Sequence, residues 1–137
     1  MNPRQLSDAL QACARGLHPL EAGTGLVTGS GSWLHREDFT SRFITTGPSI
    51  SDGVTLLASI DWEAAVTALH AGELPASGGE RRILLLSASI AGGTPVSLND
   101  ALPGIDRRNA TLAVRAVAHA AGLPDPRQET DKHYLNG

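Results

Sequence analysis

Leu6, Leu10, Cys13 and Leu17 recur at i, i+4, i+7 and i+11, the spacing of a single stripe along a helix. The pattern predicts an opening helix that stops near Gly16, with Cys13 packed in the core as a small hydrophobe. Pro19 suits the start of a second helix, and the spacing carries it over 19–33. Four glycines interrupt it: Gly23, Gly25, Gly29 and Gly31. Each interior helical glycine costs up to ~1 kcal/mol relative to alanine. Either small residues here permit close helix contact, or the segment breaks into a loop; the helix is the preferred reading. A short helix follows over 36–43, with Phe39 and Phe43 at i and i+4.

Residues 45–53 are turn-forming, and 54–60 reads as a short β-prone run. A strand there needs a partner, either 43–45 or 96–98. Asp61 caps a helix that buries Trp62, Ala65, Val66 and Leu69 and ends at Gly72. The helix over 78–91 has apolar residues on every side, which predicts a central, covered position. Residues 92–104 form a loop with at most one helical turn. Asp106 caps the last helix, 107–121, whose buried side is expected to be Ala110, Ala113, Val114, Val117 and Ala121. The segment 123–137 holds two prolines and mostly polar residues and is expected to be extended or flexible. The expectation is a mainly α single domain over 1–122. It has about five helices around the central helix 78–91 and allows one small β element near 54–60.

Composition sharpens this picture only in places. The chain has 137 residues and 41% hydrophobic content, enough for one core. Aromatics are only 4%, so aliphatic residues and alanine must build that core. The net charge of -3 gives no global attraction to nucleic acid or anionic membrane. One cysteine excludes an internal disulfide and a cysteine-based zinc site. The opening residues carry no secretory pattern, and no stretch reaches the roughly 18 apolar residues of a membrane span. A cytoplasmic protein without a cofactor, metal or membrane contact is expected.

The candidate motifs fail on their partners. Ser77-Gly78-Gly79-Glu80, followed by Arg81, resembles the signature loop of ATP-binding-cassette ATPases. A phosphate-binding P-loop, however, needs a glycine-rich run ending in lysine, and the one lysine, Lys132, has no such run. The resemblance therefore implies no ATP binding. Ser77 and Glu80 instead fit a capping box. Around Gly23–Ser32 the glycine spacing misses the dinucleotide fingerprint by one place, and Thr28 breaks a nucleophile elbow at Ser30. The five histidines show no metal-ligand spacing. His35 and Asp38 could face each other on a helix as an acid–base pair; a charged surface turn is the preferred reading.

Charge placement is the remaining oddity. Arg81 and Arg82 lie in the first turns of one helix, and Arg107 and Arg108 in the first turn of another. A cation at a helix N-terminus is disfavoured by ~0.3–1 kcal/mol. Both pairs therefore call for anions. Internal partners (Glu73, Glu80, Asp100 or Asp106) are the preferred reading, and a bound phosphate or acidic partner is the other. Arg108, Arg115 and His119 share one stripe of the last helix.

The segments 60–102 and 104–122 are similar to a group of small uncharacterised proteins from high-GC Gram-positive bacteria. The resemblance implies a small, complete single-domain protein and no activity or site residue. Three functions are carried forward. The first is a non-enzymatic helical binding or interaction protein that acts through a helix face or as a homodimer. The second is a regulator touching nucleic acid through Arg81, Arg82, Arg107, Arg108 and Arg115, disfavoured by net charge. The third is a small enzyme holding a phosphorylated or acidic ligand at the 77–82 helix start, with His35 or His119 as acid–base group.

Overall fold

In the computed structural model, which describes residues 1–124, helices dominate and one small hairpin interrupts them. The order is α1 (Pro3–Ala14), α2 (His18–Gly29), a 3-10 turn (Trp33–His35), α3 (Glu37–Phe43), β1 (Ile44–Pro48), β2 (Leu56–Ile60), α4 (Trp62–His70), α5 (Gly78–Gly92), α6 (Leu98–Ala101) and α7 (Arg107–Ala120). The main starts are locally encoded. Asn2 and Gln5 form a capping box on α1, and Ser77 and Glu80 form one on α5. The Asp61 side chain accepts from the Ala64 amide, and Asp106 from the Asn109 amide. Each such cap contributes about 1 kcal/mol.

The two strands pair antiparallel, from Ile44 opposite Ile60 to Pro48 opposite Leu56. The strand expected near 54–60 thus takes its partner from just after α3, not from 96–98. It starts two residues late because Asp52 ties down the turn: its carboxylate accepts from the Val54 and Thr55 amides and from the Thr55 hydroxyl. Ala58 and Ile60 are buried, and β2 packs on α1.

Trp33, Phe39 and Phe43 form a tilted aromatic row, with ring centroids 5.1 and 5.9 Å apart. Trp33 is wholly enclosed and donates its indole N–H to the Glu80 carbonyl at 2.9 Å. That bond anchors the start of α5. α5 then packs on α2, α4, α6 and α7 and exposes no residue from Gly79 to Ala91. It holds the central place its all-round apolar pattern predicts, but it shares that place with α2.

α2 ends four residues earlier than the sequence suggests. Gly31 takes φ +83°, a left-handed conformation that favours glycine and breaks the helix. Only one of the four glycines makes a close crossing. A Cβ on Gly23 would lie 2.4 Å from the Ala91 Cβ and 2.7 Å from the Ser87 carbonyl oxygen. A Cβ on Gly25 would meet nothing within 4 Å beyond its own helix.

Two burial expectations are corrected. Cys13 is exposed, and Leu17 is 58% exposed, while Ala14 is buried. A stripe is buried only where another element covers it, and the end of α1 has cover on its Ala14 side. On α7 the buried residues are Ala113, Ala116 and Ala118, whereas Val114 and Val117 are each 59% exposed. Small side chains let α7 lie close against α2 and α5, and the bulkier valines are left outside. The expected tail, apart from Leu123 and Pro124, lies outside the described residues.

Candidate functional site

The start of α5 is closed by its own chain. The Ser77 hydroxyl accepts from the Glu80 amide at 3.2 Å, and the Glu80 carboxylate accepts from the Ser77 amide at 3.1 Å. The other Glu80 oxygen lies 3.5 Å from Arg36. Arg36 covers the Trp33 ring at 4.5 Å and holds Asp38 at 2.6 Å. Asp38 is thereby kept below the usual carboxylate range, chiefly by its hydrogen bond from Arg36. Ser77 is spent on the cap, so an anion seated on these amides would meet the Glu80 carboxylate first. His35 is exposed, and its expected partner Asp38 is already bound to Arg36.

Three of the four internal anions expected for Arg81 and Arg82 are committed elsewhere, and the fourth, Asp100, lines one groove with both arginines without coming within 4 Å of either. Glu80 serves the cap and Arg36; Glu73 pairs with Arg42 at 3.2 Å; Asp106 caps α7 and accepts from the Asn109 side chain. Among the described residues no carboxylate lies within 4 Å of either arginine. Arg81 meets the His70 Nδ1 at 3.2 Å instead. For that contact to be a hydrogen bond, Nδ1 must accept, which places the ring proton on Nε2. Arg82 lies between two glycines: a Cβ on Gly78 would be 2.9 Å from Nη1, and one on Gly104 would be 3.1 Å from Nη2. Its Nε is buried and has no hydrogen-bond partner.

Both arginines line a groove of about 360 Å³ between the end of α4, the start of α5 and α6. Pro95, Val96, Ser97 and Asp100 form its other wall. The groove can supply two guanidinium forks, a serine hydroxyl and an imidazole to one bound group. Arginine forks match phosphate and carboxylate oxygens in pairs.

The remaining predicted residues go to other places. Arg108 donates to the Gly29 and Ser30 carbonyls at 3.2 and 3.5 Å, where a cation answers the negative C-terminal end of α2. Arg107 is exposed. Arg115 and His119 line a second groove, of about 490 Å³, between α1, α2 and α7. There His119 Nε2 meets Glu21 at 3.0 Å. This bond, with the Gly16 amide, pulls the Glu21 carboxyl below its ordinary value. Neither His35 nor His119 lines the Arg81–Arg82 groove, so that groove does not join the acid–base residues to the helix start.

Sequence reasoning missed His70 and Ser97, and named Asp100 only as an internal ion-pair partner of the arginines. Ser97 and Asp100 lie in a segment whose fold carries no periodic signal. No group of three or more metal-ligating side chains is assembled among the described residues, and none of their helices is long and apolar enough to cross a membrane. No protein family, curated protein or solved structure matches the chain.

Proposed function

We propose that the chain is a binding protein for a small anionic ligand, a phosphorylated or carboxylate-bearing molecule, seated in the groove of Arg81 and Arg82. One observation carries this reading: Arg81 and Arg82 line the same groove with no carboxylate within 4 Å of either among the described residues, Asp100 standing in the opposite wall, and the Arg82 Nε is buried without a hydrogen-bond partner. An unsatisfied buried donor costs about 1–3 kcal/mol, more when it belongs to a charged group. Two cations at a helix N-terminus add to that cost. An anion bound by the two guanidinium groups offsets the helix-terminus cost.

Calorimetric titration with inorganic phosphate and pyrophosphate at low ionic strength tests the proposal. Saturable binding is expected, and it should disappear in Arg81→Gln and in Arg82→Gln. Absence of binding in the unsubstituted protein, or binding indifferent to both substitutions, refutes it.

Self-association through a helix face is a second reading, favoured by Val114 and Val117 standing exposed side by side along α7. Light scattering on the unsubstituted chain and on Val114→Ser/Val117→Ser separates the cases. A dimer that dissociates in the double variant supports this reading, and a monomer at all concentrations ends it.

A further inference from the structure

α2 contains a glycine that its packing does not require. Gly23 is forced by the α5 crossing. Gly25, two residues on, is exposed, and a Cβ there would meet nothing within 4 Å. An interior glycine costs a helix up to ~1 kcal/mol, and no neighbour here offsets that cost. Its position supplies a reason, because Gly25 is part of the floor of the 490 Å³ groove between α1, α2 and α7.

The other apolar residues lining the groove are Ala22, Leu26, Leu112 and Ala116. Its polar lining holds two arginines, with Gln11, Glu21 and His119. Arg15, at the end of α1, has no ion pair among the described residues and lines the groove. Arg115, which holds a contact of its own, supplies a second guanidinium. The one carboxylate, Glu21, is engaged by His119 and by the Gly16 amide. The volume falls within the range of ordinary small-molecule sites, about 300–1,000 Å³.

From this arrangement we infer that the α1–α2–α7 groove is a second binding site, for a flat apolar small molecule bearing one acidic group. The apolar body lies on the bare backbone at Gly25 between the leucines, and the acid faces Arg15. The site is separate from the Arg81–Arg82 groove and shares no lining residue with it.

8-Anilinonaphthalene-1-sulfonate has this chemistry and serves as the probe, with uncharged N-phenyl-1-naphthylamine as its control. Fluorescence titration of the full chain is expected to show one saturable site. Gly25→Leu, which fills the floor, weakens binding by at least about tenfold, and Arg15→Gln by about threefold. Gly25→Ala weakens it as well while keeping or raising the melting temperature, so the loss cannot be assigned to unfolding. Arg81→Gln leaves the affinity unchanged, which separates this site from the anion groove. The inference is overturned if no saturable site exists, or if Gly25→Leu binds as the unsubstituted protein does. Equal affinity for the uncharged probe overturns the acidic part of the ligand.

Discussion

Gly23 and Gly25 lie on the same helix, yet alanine at the two positions should have opposite effects. At Gly25 the new methyl meets nothing within 4 Å, so only helix propensity acts. It favours alanine by about 0.8–1 kcal/mol. At Gly23 the same gain is opposed by contacts of 2.4 Å to the Ala91 Cβ, 2.7 Å to the Ser87 carbonyl oxygen and 2.9 Å to the Ala91 amide nitrogen. Two of those three atoms are backbone and cannot rotate away, so α2 must shift from α5. Overpacking of this kind costs about 1–3 kcal/mol, and the upper part of that range applies here. Net destabilisation of about 1–2 kcal/mol remains after the propensity gain. For a chain of this length the melting temperature should fall by roughly 4–8 °C in Gly23→Ala and rise by about 3 °C in Gly25→Ala. Urea and thermal denaturation followed by circular dichroism measure both. Adding Ala91→Gly to Gly23→Ala should recover part of the loss only, because the Ser87 carbonyl still blocks the methyl. Equal stability of the two single variants, or full recovery in the double one, would show that α2 and α5 do not cross at Gly23 as described.

Three further outcomes are expected. Glu21 has its folded-state carboxyl lowered first by His119 and then by the Gly16 amide. Its contribution is therefore present above the free-carboxylate value of 4.5 and is lost as pH falls through the lower folded value. Glu21→Gln should flatten the acid limb of stability measured by urea denaturation between pH ~7 and ~3, and an unchanged limb would refute the contact. Ser87 is fully buried with an unpartnered hydroxyl, so Ser87→Ala should raise stability by about 1 kcal/mol; a loss of that size would mean the hydroxyl is bonded. Trp33→Phe removes the bond to the Glu80 carbonyl and leaves a void in a closed core, at about 1–3 kcal/mol in chemical denaturation. A neutral result would show that this bond does not anchor α5.

The parts of this fold written in the sequence are those that depend on neighbours along the chain. The Ser77–Glu80 box, the Asp61 and Asp106 caps, the Phe39–Phe43 spacing and the all-round apolar helix at 78–91 can each be read within a few residues, and the structure has them. What the sequence hid depends on which helix covers which face. α7 carries apolar residues on two sides, and periodicity cannot rank Val114 and Val117 against Ala113 and Ala116. The ranking comes from how closely α7 must approach α2. Cys13 shows the same limit, because its place on the stripe was legible and the absence of cover at the end of α1 was not.

The arginines show this limit most clearly. Adjacent acidic residues made internal pairing the natural expectation, because proximity in sequence suggests proximity in space. Three of the four acids, however, are drawn to groups with a stronger geometric claim: Glu80 to its own helix start and Arg36, Asp106 to the start of α7, Glu73 to Arg42. Arg108 reverses the electrostatic expectation altogether by leaving its own helix for the carbonyl end of α2. Arg107 is left exposed, and Arg81 and Arg82 line a groove with Asp100 in its opposite wall and no carboxylate within 4 Å among the described residues. Glycines at 78 and 104 keep space open for the Arg82 guanidinium where any side chain would crowd it. Sequence proximity predicts the pairings that a cap or a facing arginine enforces, and it is silent on cations whose surroundings are set by Gly78, Gly104 and the opposite wall of a groove.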